Sequence, residues 1–167
     1  MIVRPERAGD ETAIGELTAR AFAGMPFSDQ TEPQIIERLR RAGALTISLV
    51  AEDEGAIVGH VAFSPLTLSS GQTDWYALGP ISVEPERQRS GIGSTLIATG
   101  FERLKALAAA GCVLAGDPGY YGRFGFRSFP GLSCDAVPPE YLLALPLNSG
   151  EPLGIVGFHP GFFGDAA

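Results

Sequence analysis

The residues that most plainly invite chemistry are a polar stretch, 84–90 (EPERQRS), and the Gly91-Ile92-Gly93 that follows it. A strand-like run ends just before, at Val83, and a helical pattern begins at the glycines. The first amides of a helix have no partner within it and carry the positive end of its dipole. They form a ready cradle for a phosphate. Glycine at 91 and 93 keeps side chains out of a close approach. Gln88, Arg89 and Ser90 add side-chain donors, and Ser94 and Thr95 can help in the first turn. The loop is not a Walker A motif, because no Lys-Ser/Thr follows at the required place. It is not the dinucleotide fingerprint either, since Leu96 stands where a third glycine belongs. A glycine pair at a helix start is also a common structural device, so the pair alone leaves phosphate binding open.

The wider pattern is more specific. Val83-Glu84-Pro85-Glu86-Arg87-Gln88-Arg89-Ser90-Gly91-Ile92-Gly93 resembles the acetyl-CoA signature of the GNAT N-acetyltransferases, Q/R-x-x-G-x-G/A, here Gln88-x-x-Gly91-x-Gly93. The apolar strand before it and the long helix after it match as well. The resemblance implies that Gln88, Arg89, Ser90, Gly91, Ile92, Gly93 and Ser94 hold the CoA pyrophosphate, largely through the backbone. It implies that the main chain of Ile81, Ser82 and Val83 aligns the pantetheine. Gly79-Pro80 falls where the family has a bulge that aims an N–H at the acetyl carbonyl, an oxyanion donor.

A second match is Tyr121-Gly-Arg-Phe-Gly125-Phe126, which is similar to the family's Y-x-x-x-G-F. The resemblance implies that Tyr121 is the general acid that protonates the departing thiolate. Tyr120 is its rival, and both rings could simply pack a wall of the protein. The chain departs from the family in carrying the short Gly116-Asp117-Pro118-Gly119 where a helix with a cofactor-contacting Asn is usual. Together with Gly59-His60-x-x-Phe63-Ser64-Pro65 and Leu78-Gly79-Pro80, the segment resembles the YhbS-like branch, over residues 1 to about 130.

Attack by an amine needs its proton removed, and no residue stands out as the base. Glu84 reads as a solvated carboxylate, His60 as a satisfied structural histidine, Ser64 as at most a proton relay and Asp117 as a turn or cap residue. The loop Ala23-Gly24-Met25-Pro26-Phe27-Ser28-Asp29 lies along the acceptor groove by resemblance. Met25 and Phe27 would line the groove or cap the core.

The elements that must position these residues follow from the chain's periodicity. A strand at 1–4 is followed by a helix from Glu11 to Phe22 with Asp10 as N-cap. A second helix runs to Arg41 behind a Thr31/Gln34 capping box. Strands at 46–52 and 56–64 flank the turn Asp53-Glu54-Gly55, and Leu66 to Leu68 extends the second of them. A strand at 74–83 has a bulge or break expected at Gly79-Pro80. A helix from Gly91 to about Ala109, a strand at 112–115, a helical piece in 117–126 and strands around 142–147 and 153–158 complete the order. That is an α/β chain with a mixed sheet (α+β in the broader sense), expected as one domain over 1–167 with the GNAT-like acyl-CoA N-acyltransferase fold. Its motifs fall before about 130, and the strands from about 131 to 167 are less diagnostic.

A net charge of −7 disfavours a nucleic-acid partner and biases toward cationic substrates such as amines. Two cysteines and two histidines make neither a disulfide framework nor metal spacing, so no metal is expected. The start, MIVRPERAGDE, has no apolar h-region and no run is long enough to span a bilayer. The expectation is a cytoplasmic chain with no membrane partner. The apolar stretches 155–158 and 162–163 suit a homodimer contact. The reading is an N-acetyltransferase that uses acetyl-CoA as co-substrate and a small-molecule or peptide amine as acceptor. Its rivals are a non-catalytic acyl-CoA-binding sensor or scaffold and an unrelated phosphate-binding α/β domain.

Overall fold

A computed structural model describes residues 1–164. The elements run β1 (Ile2–Pro5), α1 (Glu11–Phe22), α2 (Glu32–Arg41), β2 (Ile47–Asp53), β3 (Ala56–Pro65), β4 (Thr67–Leu68) and β5 (Trp75–Val83). They continue with α3 (Ile92–Ala106), β6 (Gly111–Ala115), α4 (Pro118–Tyr121), β7 (Leu132–Ser133), β8 (Leu142–Pro146) and β9 (Gly154–Gly157). The described residues fall into two compact units, 1–64 with 79–103 and 160–164, and 65–78 with 104–159.

In the first unit β1, β2 and β3 pair antiparallel. The β2–β3 turn places Glu54 and Gly55 at φ of +50° and +81°, the two successive positive angles of a type I′ hairpin. One face of these strands is covered by α1 and α2, where Ile14, Ile36 and Val50 form a buried cluster. The other face receives α3, and glycine sets how closely. A Cβ at Gly59 would lie 2.8 Å from Ile92 and 3.0 Å from Leu96, and one at Gly100 would lie 2.4 Å from the Phe63 ring. Residues alternate faces along a strand, so Gly59, Val61 and Phe63 face α3 while His60, Ala62 and Ser64 face α1 and α2.

In the second unit the first half of β5 pairs parallel with β6, and β6 pairs antiparallel with β8. A smaller sheet runs β4-β9-β7. Trp75, Val113, Phe129, Leu142 and Val156 are among its buried core.

The α/β class and mixed sheet are as expected, with local differences. Asp10 precedes α1 but caps nothing with its side chain, because Arg4 (2.8 Å) and the Arg7 amide (2.9 Å) occupy its carboxylate. The Thr31 capping box does not form, since the Thr31 hydroxyl donates to Asp29. Leu66–Leu68 does not prolong β3. Thr67 and Leu68 form β4 and pair with β9. β5 is irregular at Gly79-Pro80, where a bulge or break is expected: the peptide is cis, Gly79 stands at φ +134°, and the pairing with β6 ends at Ala77. α3 stops at Ala106, and Ala108 turns to φ +58°. β7 has no counterpart in the expected order, since a two-residue strand carries too little periodicity to read.

Candidate functional site

The glycine loop is built between two fixed ends. Glu84 N donates to Val58 O at 2.9 Å, tying the end of β5 to β3. A single 3₁₀ turn, Pro85–Arg87, follows. Arg87 Nη2 then reaches Asp53 Oδ2 in the hairpin turn at 2.8 Å. Past it the backbone turns left-handed twice, at Arg89 (φ +65°) and Gly91 (φ +91°), and α3 begins at Ile92. Nothing lies within 4 Å of a Cβ built on Gly91, so it is the positive φ that favours glycine there. Its carbonyl accepts Thr95 N and the Thr95 hydroxyl.

Two side chains expected to reach outward turn inward. Gln88 Nε2 donates to Val83 O at 3.2 Å and Ser90 Oγ donates to Arg87 O. The first-turn amides of α3 are left as the loop's donors, with Arg89 exposed beside them. The structure thus brings 81–83 and 88–94 together at one end of the sheet in the first unit. What it adds is the seat of α3, made by Gly59 and Gly100, and the Arg87–Asp53 clamp. Small residues in a strand and a helix could have signalled the first; nothing local signals the second.

The tyrosine segment lies in the second unit. Asp117 caps α4, its Oδ1 accepting Gly119 N at 2.9 Å, as expected for a cap residue. Gly125 ends the following 3₁₀ turn at φ +97°. A Cβ on Gly116 would lie 2.6 Å from the Tyr121 ring, so the glycine makes room for that ring. Tyr121 packs edge-on to Tyr120 (4.9 Å) and Phe126 (6.0 Å). Burial, with Tyr120 adding to it, pushes its phenol up to about 12, so it keeps its proton at neutral pH. Tyr120 instead carries the Arg123 guanidinium 4.3 Å above its ring.

The acetyltransferase (GNAT) domain family matches residues 3–129. The chain belongs to the GNAT family. It is 34% identical over 128 residues to the uncharacterized N-acetyltransferase YhbS of Escherichia coli K12, covering 76% of this chain and 74% of that one. It is similar to a GNAT acetyltransferase from Brucella melitensis solved in complex with acetyl-CoA, with 42% identity, a TM-score of 0.86 and coverage of 96% and 97%. The E. coli YhbS structure in complex with CoA superposes with a TM-score of 0.87 at 28% identity, covering 99% and 93%.

The structure changes the standing of the expected candidates for the proton acceptor. Glu84 is not a solvated carboxylate: Arg20 of α1 grips it with two bonds, 2.9 and 2.7 Å. That guanidinium holds its carboxyl below the usual range, so Glu84 is a poor base. His60 is fully buried, and only half satisfied: Nε2 lies 2.9 Å from Ser48 Oγ, while Nδ1 has no partner. The Ser64 hydroxyl is likewise unpartnered. Phe27 is 81% exposed and so does not cap the core. Its loop is held by Gln30 Nε2 to Phe22 O and by Ser28 to Glu32. The described residues contain no group of side chains able to hold a metal.

Proposed function

We propose that this chain transfers the acetyl group of acetyl-CoA to a primary amine of a small molecule or peptide, by direct attack in a ternary complex. The observation that carries the reading is the start of α3. Its free amides follow two left-handed residues, at the end of the strand whose backbone would align the pantetheine. Residues 88–94 would hold the pyrophosphate and the main chain of 81–83 the pantetheine. Acetyl-CoA supplies the activated acyl group. Tyr121, protonated at neutral pH, would deliver a proton to the leaving thiolate. The complexes of the Brucella protein with acetyl-CoA and of YhbS with CoA support this choice of acyl carrier. The domain is taken to span 1–167 and to work in the cytoplasm, where acetyl-CoA is available. The absence of a membrane-crossing helix among the described residues is compatible with that.

Titration calorimetry tests the cofactor half. Acetyl-CoA is expected to bind with micromolar affinity, and the Gly91→Glu/Gly93→Glu variant to lose it. No binding by the wild type would sink the reading. Intersecting initial-velocity lines with an active amine test direct attack, and parallel lines would refute it. The engaged Glu84 favours a second reading, a CoA-binding module without catalysis. Tyr121→Phe separates the two: a fall in kcat of about 10²-fold with acetyl-CoA affinity retained supports the enzyme.

A further inference from the structure

α1 crosses the strands of its unit instead of running along them. Its N-terminal end is pinned at β1, where Arg4 Nη1 lies 2.8 Å from Asp10 Oδ2. Its last turn is pinned just past β5, where Arg20 donates from Nε to Glu84 Oε1 at 2.9 Å and from Nη2 to Oε2 at 2.7 Å. β1, β2, β3 and β5 are neighbours in that order, so the pins stand three strand spacings apart, about 14 Å. The helix from Asp10 to Arg20 rises about 15 Å, which matches that span. Ile14, Leu17, Thr18 and Ala21 are buried along it. α1 is therefore a crossbeam held at both ends.

The two sides of the second pin are anchored differently. The main chain of Glu84 is fixed without its carboxylate: its N donates to Val58 O at 2.9 Å, and its O accepts Arg87 N at 2.8 Å. What the carboxylate adds is the placement of the end of α1. Two residues past Arg20 the helix ends at Phe22, and loop 23–30 springs from it. The loop is braced on that end. Phe22 O accepts Met25 N at 3.2 Å and Gln30 Nε2 at 2.7 Å, and Ser28 N donates to Met25 O at 3.1 Å. A loop built this way moves with the helix end that carries it. It starts beside the end of β5 and exposes the apolar ring of Phe27. The guanidinium holds the Glu84 carboxyl below its usual range, so the pair is charged at neutral pH.

We propose that Arg20 is a positioning residue for the amine acceptor: paired with Glu84, it sets loop 23–30 against the strand that carries the acyl group, and that loop forms one wall of the acceptor's approach. This rests on the acetyl-transfer reading above. In that reading the pyrophosphate is held by the backbone of 88–94, which hangs from the main chain of Glu84. Breaking the ion pair leaves this cradle in place and releases the end of α1. Glu16, one turn earlier on α1, is the other acid that acts on Arg20, and it draws the guanidinium away once Glu84 is neutral. Attack on the acetyl carbonyl needs an aligned near-contact geometry, and a displacement of about 1 Å can cost about 10²-fold in rate. The pair itself is partly exposed, at 48% and 22%, and contributes little to stability. Its effect on rate and its effect on folding therefore separate.

The test sets amine kinetics beside acetyl-CoA binding. The variants are Arg20→Gln, Glu84→Gln and the two combined, and the probes are primary alkylamines and benzylamine with acetyl-CoA. Each single variant is expected to lose about tenfold in kcat/KM for the amine, since the buried face of α1 still holds its middle. The Kd for acetyl-CoA by calorimetry and the midpoint of chemical denaturation should stay at their wild-type values. The combined variant should lose no more than either single one, because both open the same pin. A multiplied loss would mean that each side chain acts on its own, and would overturn the pairing role. A parallel loss of acetyl-CoA affinity would show that the pair steadies the phosphate loop, and would overturn the proposal while leaving acetyl transfer standing. Unchanged amine kinetics in both single variants would do the same. A wild type that binds acetyl-CoA but acetylates no amine would overturn both.

Discussion

The glycine loop and the buried Glu6–Ser48–His60 chain lie in the same unit and are built in opposite ways. The loop, 84–95, works through its backbone: left-handed turns at Arg89 and Gly91 and the bare amides of α3. Its own side chains mostly fold back to brace it, as Gln88 and Ser90 do. The histidine chain works through side chains alone, Arg40 of α2 to Glu6 after β1, Glu6 to Ser48 of β2 and Ser48 to His60 of β3. A backbone site needs a rigid seat and tolerates change in its side chains. A side-chain site survives small shifts of backbone but fails when one member is replaced.

The largest effect should come from disturbing the seat. Gly100→Ala puts a methyl where the Phe63 ring already is, 2.4 Å away, and both residues are buried. Overpacking of this kind costs about 1–3 kcal/mol, against a helix-propensity gain of about 1 kcal/mol for alanine. A net loss in chemical denaturation, with weaker acetyl-CoA binding, is expected, and Phe63→Leu should restore both. A more stable Gly100→Ala protein would break the claim that close packing positions the loop.

Next comes acid. His60 titrates near 6.5 when unfolded and is pushed down to about 4 in the fold. Between those values the unfolded chain binds more protons. The stability due to neutral burial is therefore complete above about pH 6.5 and is lost as pH falls toward 4. Denaturation midpoints of the wild type should drop across that window, and those of His60→Gln should drop less. Parallel curves would show that the imidazole is already solvated in the native state.

This contrast also explains what could be read from the residues alone. Gln88-x-x-Gly91-x-Gly93 is contiguous, and its chemistry depends on backbone angles that glycine spacing reports. The strand and helix order was legible for the same reason, since periodicity is local. His60 was read as a satisfied structural residue because its partners, Glu6 and Ser48, are far off in sequence and ordinary in type. Glu84 was read as solvated because Arg20, which grips it, sits on another element. The left-handed turn at Arg89 and the role of Gly116 in clearing the Tyr121 ring needed coordinates, as each depends on a neighbour's position.

The smallest effect sharpens the comparison most. Arg87 bonds out of the loop to the β2–β3 hairpin, its Nη2 lying 2.8 Å from Asp53 Oδ2. If the loop binds pyrophosphate through its amides, Arg87 acts only by steadying them. Removing a half-exposed ion pair has a modest effect, so Arg87→Ala should weaken acetyl-CoA binding only about two- to fivefold. Asp53→Ala should do the same, and the double variant should add nothing, because both single changes open the same clamp. High salt should shrink the difference from wild type. A loss of tenfold or more confined to Arg87→Ala would mean that the guanidinium itself touches the phosphate. The loop would then be a mixed site rather than a backbone one, and the division between the two halves of the unit would fail at its own clamp.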